Sequence, residues 1–197
     1  LDALASQRAT PGGGSAAALM GAQAAALTSM VCQLTIGKPK YAEVEIDMQS
    51  VLKQSEALRI HLLEMIESDI HAFNQLMASY ALPKNTEEEK AARSLAIQEN
   101  LKEATLIPLA CAKACVETIK LSGIAAEKGS LTVISDAGVA VMSGYAALKS
   151  AALNVYINAG SLKDKEFAAQ KLAELETLLS GVEDTTQAIY ALVKSRL

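Results

Sequence analysis

Between Tyr41 and Tyr80 the residues Val44, Met48, Val51, Ser55, Leu58, Leu62, Met65, Asp69, Ala72 and Leu76 follow one another at alternating spacings of four and three, and most are apolar. This is a heptad seam, the signature of a helix that buries one stripe. No Gly or Pro interrupts the segment before Pro83, so it is predicted to be the longest helix of the chain. Two polar residues, Ser55 and Asp69, fall on the same seam.

The other periodic segments are also helical. Residues 1–6 are predicted to form one helical turn or two before Thr10-Pro11-Gly12-Gly13-Gly14-Ser15, which its proline and three glycines keep out of regular helix. A helix then runs over 15–36, with Gly14, Ala18, Ala22 and Ala26 at i, i+4, a small-residue face suited to close helix approach. Gly37-Lys38-Pro39-Lys40 interrupts the pattern. Thr86 with Glu89 reads as a capping box for the next helix, and Pro108 is expected to kink or split it. Residues 123–129 look like a break, and Ser135-Asp136 offers an N-cap for a second Ala-rich helix ending near Gly160. Ser161 and Asp164 are expected to cap one final amphipathic helix that carries Phe167, Leu172, Leu175, Leu179, Val182, Ile189 and Val193 on one side. No stretch reads as a strand, and there is no repeat or low-complexity linker. The expected fold is all-α, a single domain over 1–197 built as an up-and-down bundle of long helices.

Composition agrees: 51% of residues are hydrophobic but only 4% aromatic, with no Trp, a mixture suited to closely packed helices. The net charge of −4, with no basic stripe, argues against nucleic-acid binding. Stretches 15–36 and 137–157 are apolar enough to raise a membrane question. They carry Gln23, Gln33, Lys149 and Asn154, which a lipid-facing span would have to desolvate, so buried helices and no membrane are expected. Three cysteines, Cys32, Cys111 and Cys115, point to a reducing, cytoplasmic setting. No His or Cys set completes a zinc site, and two histidines assemble no nucleophilic triad; no metal is expected.

Four constellations remain. Pro11, Gly12, Gly13, Gly14 and Ser15 open a helix whose free N–H groups favour an anion, or else form a tight turn for close packing. Asp69 on an apolar seam either bonds a neighbouring helix at the rim or is a general base. His71, about 200° round the helix, points away from it, and both His71 and His61 are expected to be exposed. Asn154 and Asn158 share a helix face: either Asn158 helps to end the helix before Gly160 and Asn154 bonds a neighbouring helix, or both hydrogen-bond a flat heterocycle. Lys38 and Lys40, beside Tyr41, are solvated loop cations or the holders of a carboxylate-bearing tail.

Taken together, TPGGGS at 10–15, TIGKPKY at 35–41, DIHAF at 69–73, LPKNTEEEK at 82–90, SDAGVA at 135–140 and NVYIN at 154–158 resemble the methenyltetrahydrofolate cyclohydrolase / formiminotetrahydrofolate cyclodeaminase family over essentially the whole chain. The resemblance implies a helical homodimer with a folate site in a cleft near the subunit interface, Asp69 as the catalytic residue, and contributions to binding from the glycine motif and the lysine loop. Asp136, Asn154 or Asn158 would hold the pterin, and Lys38, Lys40 or the glycine-loop amides the glutamate tail. It implies no cofactor beyond the folate substrate. The stretches TIGKPKYAEVE and AEKGSLTVISDAGVAV look closer to the cyclohydrolases, and the chain has no room for the transferase domain fused to animal cyclodeaminases. Hydrolysis of 5,10-methenyltetrahydrofolate is therefore the expected activity. The rivals are the ammonia-releasing cyclodeaminase and a helical assembly module without catalysis.

Overall fold

The computed structural model describes residues 1–197 and is helical throughout, with no strand. The long helices are α1 (Gly13–Gln33), α2 (Glu45–Tyr80), α3 (Glu87–Lys128) and α4 (Ile134–Ser161), followed by the shorter α5 (Lys165–Leu179) and α6 (Val182–Lys194). A single turn closed by the Ala5 N–H on the Leu1 carbonyl precedes them.

The seam of α2 packs as its spacing predicts: Met48, Val51, Ser55, Leu62, Met65, Ala72 and Leu76 are buried. Ser55 is accommodated by a 2.8 Å hydrogen bond to Ser29 of α1. That pair and Ser15 with Asp69 show α1 and α2 to be antiparallel. The bonds Asn100–Ser79 and Lys128–Asp47 set α3 antiparallel to α2. Asn158 on Ala104 does the same for α4 and α3, and Ser143 on the Met20 carbonyl closes the ring between α4 and α1. The result is an up-down-up-down four-helix bundle. Across its diagonal, Gly21 lets α1 approach Cys115 and Thr28 bonds Ser122. Helices α5 and α6 lie over the α3/α4 edge, tied by Tyr145–Glu183, Tyr156–Glu176 and Lys113–Glu174.

Several expectations need correction. The longest helix is α3, of 42 residues against 36 in α2. Pro108 does not split it, and Gly123 lies inside it. A Cβ at Gly123 would stand 3.0 Å from the Ile189 side chain of α6, so this glycine serves close packing rather than termination. Helix α1 begins inside the glycine motif, at Gly13. The final helix is two, broken at Gly181, whose φ of +72° suits glycine. At the start of α4, a 3-10 turn (Leu131–Val133) leads in and the N-cap position is Val133; Asp136 lies in the first turn instead of capping it.

The capping box is present: the Thr86 hydroxyl accepts from the Glu89 N–H, while the Glu89 carboxylate accepts from the Thr86 N–H. Asp164 caps α5 by accepting from the Phe167 N–H, whereas Ser161 closes α4. Helices α1 and α4 are long and apolar enough to cross a membrane by length and composition, yet their inner faces supply much of the bundle's core.

All three cysteines are free and buried, and burial pushes the Cys32 thiol up to about 11. A thiol alkylating agent near neutral pH should label none of them in the native protein and all three after denaturation, as read by mass spectrometry.

Candidate active site

At one end of the bundle the seam carboxylate of α2 meets the first turn of α1. The first α-helical bond of α1 joins the Ala16 N–H to the Gly12 carbonyl, so the N–H groups of Gly13, Gly14 and Ser15 have no partner within the helix. Their positive end of the helix faces Asp69. The Ser15 hydroxyl, itself buried, donates to Asp69 Oδ2 at 2.7 Å. Gly14 sits so close that a Cβ there would lie 2.1 Å from Asp69 Oδ1 and 2.7 Å from its Cγ. Any side chain at residue 14 would displace the carboxylate.

Asp69 is partly buried and opens into a cleft of about 240 Å³. Ala72, Phe73 and Leu76 line it from α2, Ala104 and Ile107 from α3, and Asn154, Ile157 and Asn158 from α4. The two asparagines do share a face. Asn154 Nδ2 donates to the Ser150 carbonyl at 2.9 Å, and Asn158 Nδ2 donates to the Ala104 carbonyl at 2.6 Å. Asn158 does not end its helix, which runs on to Ser161. Gly13 lies against the Asn154 amide, so the glycine motif touches both Asp69 and the asparagine pair. His61 and His71 are exposed, and His71 bonds Gln75.

The lysine loop is elsewhere. Lys38 Nζ donates to Ser130 Oγ at 3.2 Å, and the Tyr41 hydroxyl accepts from the Leu131 N–H at 3.0 Å. That backbone donor, the neighbouring Ser130 and the charges of Lys40 and Lys38 hold the Tyr41 phenol below its ordinary range. Lys40 Nζ stands 5.6 Å from the Tyr41 ring centre. Asp136 belongs to this end as well. At about 1.5 Å per residue, the α4 stretch from Asp136 to Asn154 separates the two ends by about 27 Å. Within one chain, Pro11, Gly12, Gly13, Gly14, Ser15, Asp69, Asn154 and Asn158 form one group, while Lys38, Lys40, Tyr41 and Asp136 lie at the opposite end.

A larger cavity of about 550 Å³ lies between α2, α3 and α5, lined by His61, Lys113, Glu117 and Glu174 among others. Lys113 and Glu174 neutralise each other there, and none of the sequence motifs reaches it. No cluster of three or more His, Cys, Asp or Glu able to hold a metal occurs in the structure. Sequence reasoning missed the apolar wall of Phe73, Ile107 and Ile157, and the bond between Asn158 and Ala104. The second carries a sequence signal: Pro108 has no N–H to give to the carbonyl four residues before it.

Comparison with known proteins matches the chain to one family. The family profile described as Formiminotransferase-cyclodeaminase matches residues 1–177. The chain is 59% identical over 197 residues to the methenyltetrahydrofolate cyclohydrolase of Methylorubrum extorquens, covering 100% of this chain and 95% of that protein. It is 33% identical over 184 residues to the formimidoyltransferase-cyclodeaminase of Rattus norvegicus, covering 93% of this chain but 34% of that longer protein. Among solved structures, the formiminotetrahydrofolate cyclodeaminase of Thermotoga maritima superposes with a TM-score of 0.88 at 29% identity, covering 98% of this chain and 93% of that one. Matched over residues 1–177 by the family profile and over its whole length by a 59% identical relative, this chain belongs to the formiminotransferase-cyclodeaminase family.

Proposed function

We propose that the protein hydrolyses 5,10-methenyltetrahydrofolate to 10-formyltetrahydrofolate. The observation that carries this reading is the Asp69 carboxylate, held by Ser15 against the bare backbone of Gly14 and facing an apolar-walled cleft with two amides. The 59% identity to a methenyltetrahydrofolate cyclohydrolase supports it.

The chemistry suits a single carboxylate. The methenyl bridge is a cationic amidinium, so an anionic Asp69 stabilises the bound cation and accepts a proton from the attacking water. The tetrahedral adduct then collapses: the bond from the bridge carbon to N5 breaks, N5 takes up a proton, and the formyl group stays on N10. The electrophile carries its own positive charge, so the step calls for neither metal nor cofactor. The cyclodeaminase reading draws support from the Thermotoga maritima neighbour. It is separated by its product, since ammonia is released only from 5-formiminotetrahydrofolate.

We further assign the working unit as a homodimer formed through the α1/α4 face. Helix α1 has no charged residue, and its outer stripe is Leu19, Met20, Gln23, Leu27, Met30 and Leu34. Beside it on α4, Val139, Met142, Leu153 and Ile157 are exposed, Leu153 by 68% and Ile157 by 69%. Such a contiguous apolar surface calls for a partner, and a twofold copy is the simplest. The Asp69 cleft is smaller than the roughly 300–1,000 Å³ of ordinary small-molecule sites. An antiparallel pairing of the two faces would bring the lysine loop of the partner subunit to this end. Lys38 and Lys40, beside Tyr41, would then meet the folate tail from across the interface. The free, buried cysteines fit the cytoplasmic location that we assign to this unit.

Three outcomes are expected. Asp69→Asn, with the fold intact by circular dichroism, should slow the decay of methenyltetrahydrofolate absorbance by at least about 10²-fold, and near-normal turnover would remove Asp69 as the base. Leu153→Glu should convert the dimer to monomer in light scattering and reduce activity with it. Reversing the charge of Lys38 and Lys40 should raise KM for polyglutamylated substrate, while an unchanged KM would exclude them from the tail site.

A further inference from the structure

Pro108 sits in the interior of α3, buried, and the helix continues through it without a break. Having no N–H, it cannot bond the carbonyl of Ala104, four residues earlier. Ala104 lines the Asp69 cleft, and its carbonyl accepts instead from Asn158 Nδ2 of α4 at 2.6 Å. A carbonyl only accepts, so the NH2 side of the Asn158 amide must face it and Oδ1 must face away. Asn154 is oriented in the same manner by the Ser150 carbonyl. Neither Oδ1 receives a hydrogen bond from the protein, and both residues line the cleft that holds Asp69.

We propose that Pro108 is a positioning residue for substrate binding: by freeing the Ala104 carbonyl it fixes the Asn158 amide, whose Oδ1 then stands with that of Asn154 as an acceptor for the N–H-bearing edge of the ligand. This rests on the folate reading of the site, in which the 2-amino and ring N–H groups of the reduced pterin supply the donors. Alanine at 108 would bring an N–H, reclose the α3 ladder on Ala104 and release the Asn158 amide to rotate. The site would then have lost an oriented acceptor while the helix had gained a bond.

The test compares Pro108→Ala, Asn158→Ala and the double variant in the full-length enzyme. Pro108→Ala should melt no lower than the parent, because proline is the poorest residue for a helix interior. Its KM for methenyltetrahydrofolate should rise about tenfold, the equivalent of one oriented hydrogen bond, with kcat changed by less than about twofold. The double variant should bind no worse than Asn158→Ala alone, since both changes remove the same acceptor. An unchanged KM in Pro108→Ala, or penalties that multiply in the double variant, would overturn the proposal. A readout independent of substrate separates this from failure of the folate reading. The Asn158 side-chain amide protons, followed by 15N NMR, should be slow to exchange in the parent and fast in Pro108→Ala. Slow exchange in both overturns the positioning role, whatever the enzyme acts on.

Discussion

The structure turns on the contact between Asp69 and the backbone of Gly14. A carboxylate on the buried seam of a helix must be neutralised, paired or moved to a rim. Here it is partly buried and set against the opening turn of α1, where unpaired N–H groups and the helix dipole favour negative charge and the Ser15 hydroxyl supplies a direct bond. The approach is possible only because residue 14 has no side chain. The glycine motif therefore serves the carboxylate first, through the close approach that its reading as a packing turn anticipates.

The opposite wall of the cleft rests on a second departure from ideal helix. Pro108 removes one rung of the α3 ladder, and the freed Ala104 carbonyl ties down Asn158. The same bundle thus carries two local irregularities, one at the start of α1 and one in the middle of α3, and both face the same cleft. Around them, buried hydroxyls pair across the helices, Thr28 with Ser122 and Ser29 with Ser55.

Much of this was legible in the sequence. The heptad seam located α2 and singled out Asp69; Thr86 and Glu89 marked the start of α3; the spacing of Asn154 and Asn158 put them on one face. What was not legible depends on tertiary distance. Gly123 reads locally as a stop, but Ile189 crosses over it and uses the missing Cβ. The last periodic segment hides its break, because Leu179 and Val182 keep the apolar pattern across Gly181. The lysine loop and Asp136 carry family motifs as plain as those near Asp69, yet helix length places them at the far end of the chain's own bundle. No local pattern reveals that separation, and the exposed α1/α4 stripe that offers to bridge it appears only once the inner faces are known.

The most direct test of the account is the rate of methenyltetrahydrofolate hydrolysis by Gly14→Ala. Residue 14 lies in the first turn of α1, and the atoms nearest a Cβ there belong to the Asp69 side chain and not to backbone, so the bundle should stay folded. The added methyl must nevertheless push the Asp69 carboxylate from its seat, and a displacement of about 1 Å in a catalytic group costs on the order of 10²-fold in rate. A folded variant with turnover reduced to that extent is the predicted result. Wild-type turnover in Gly14→Ala would show that the seat of Asp69 against α1 is not what makes it reactive, and would contradict the account.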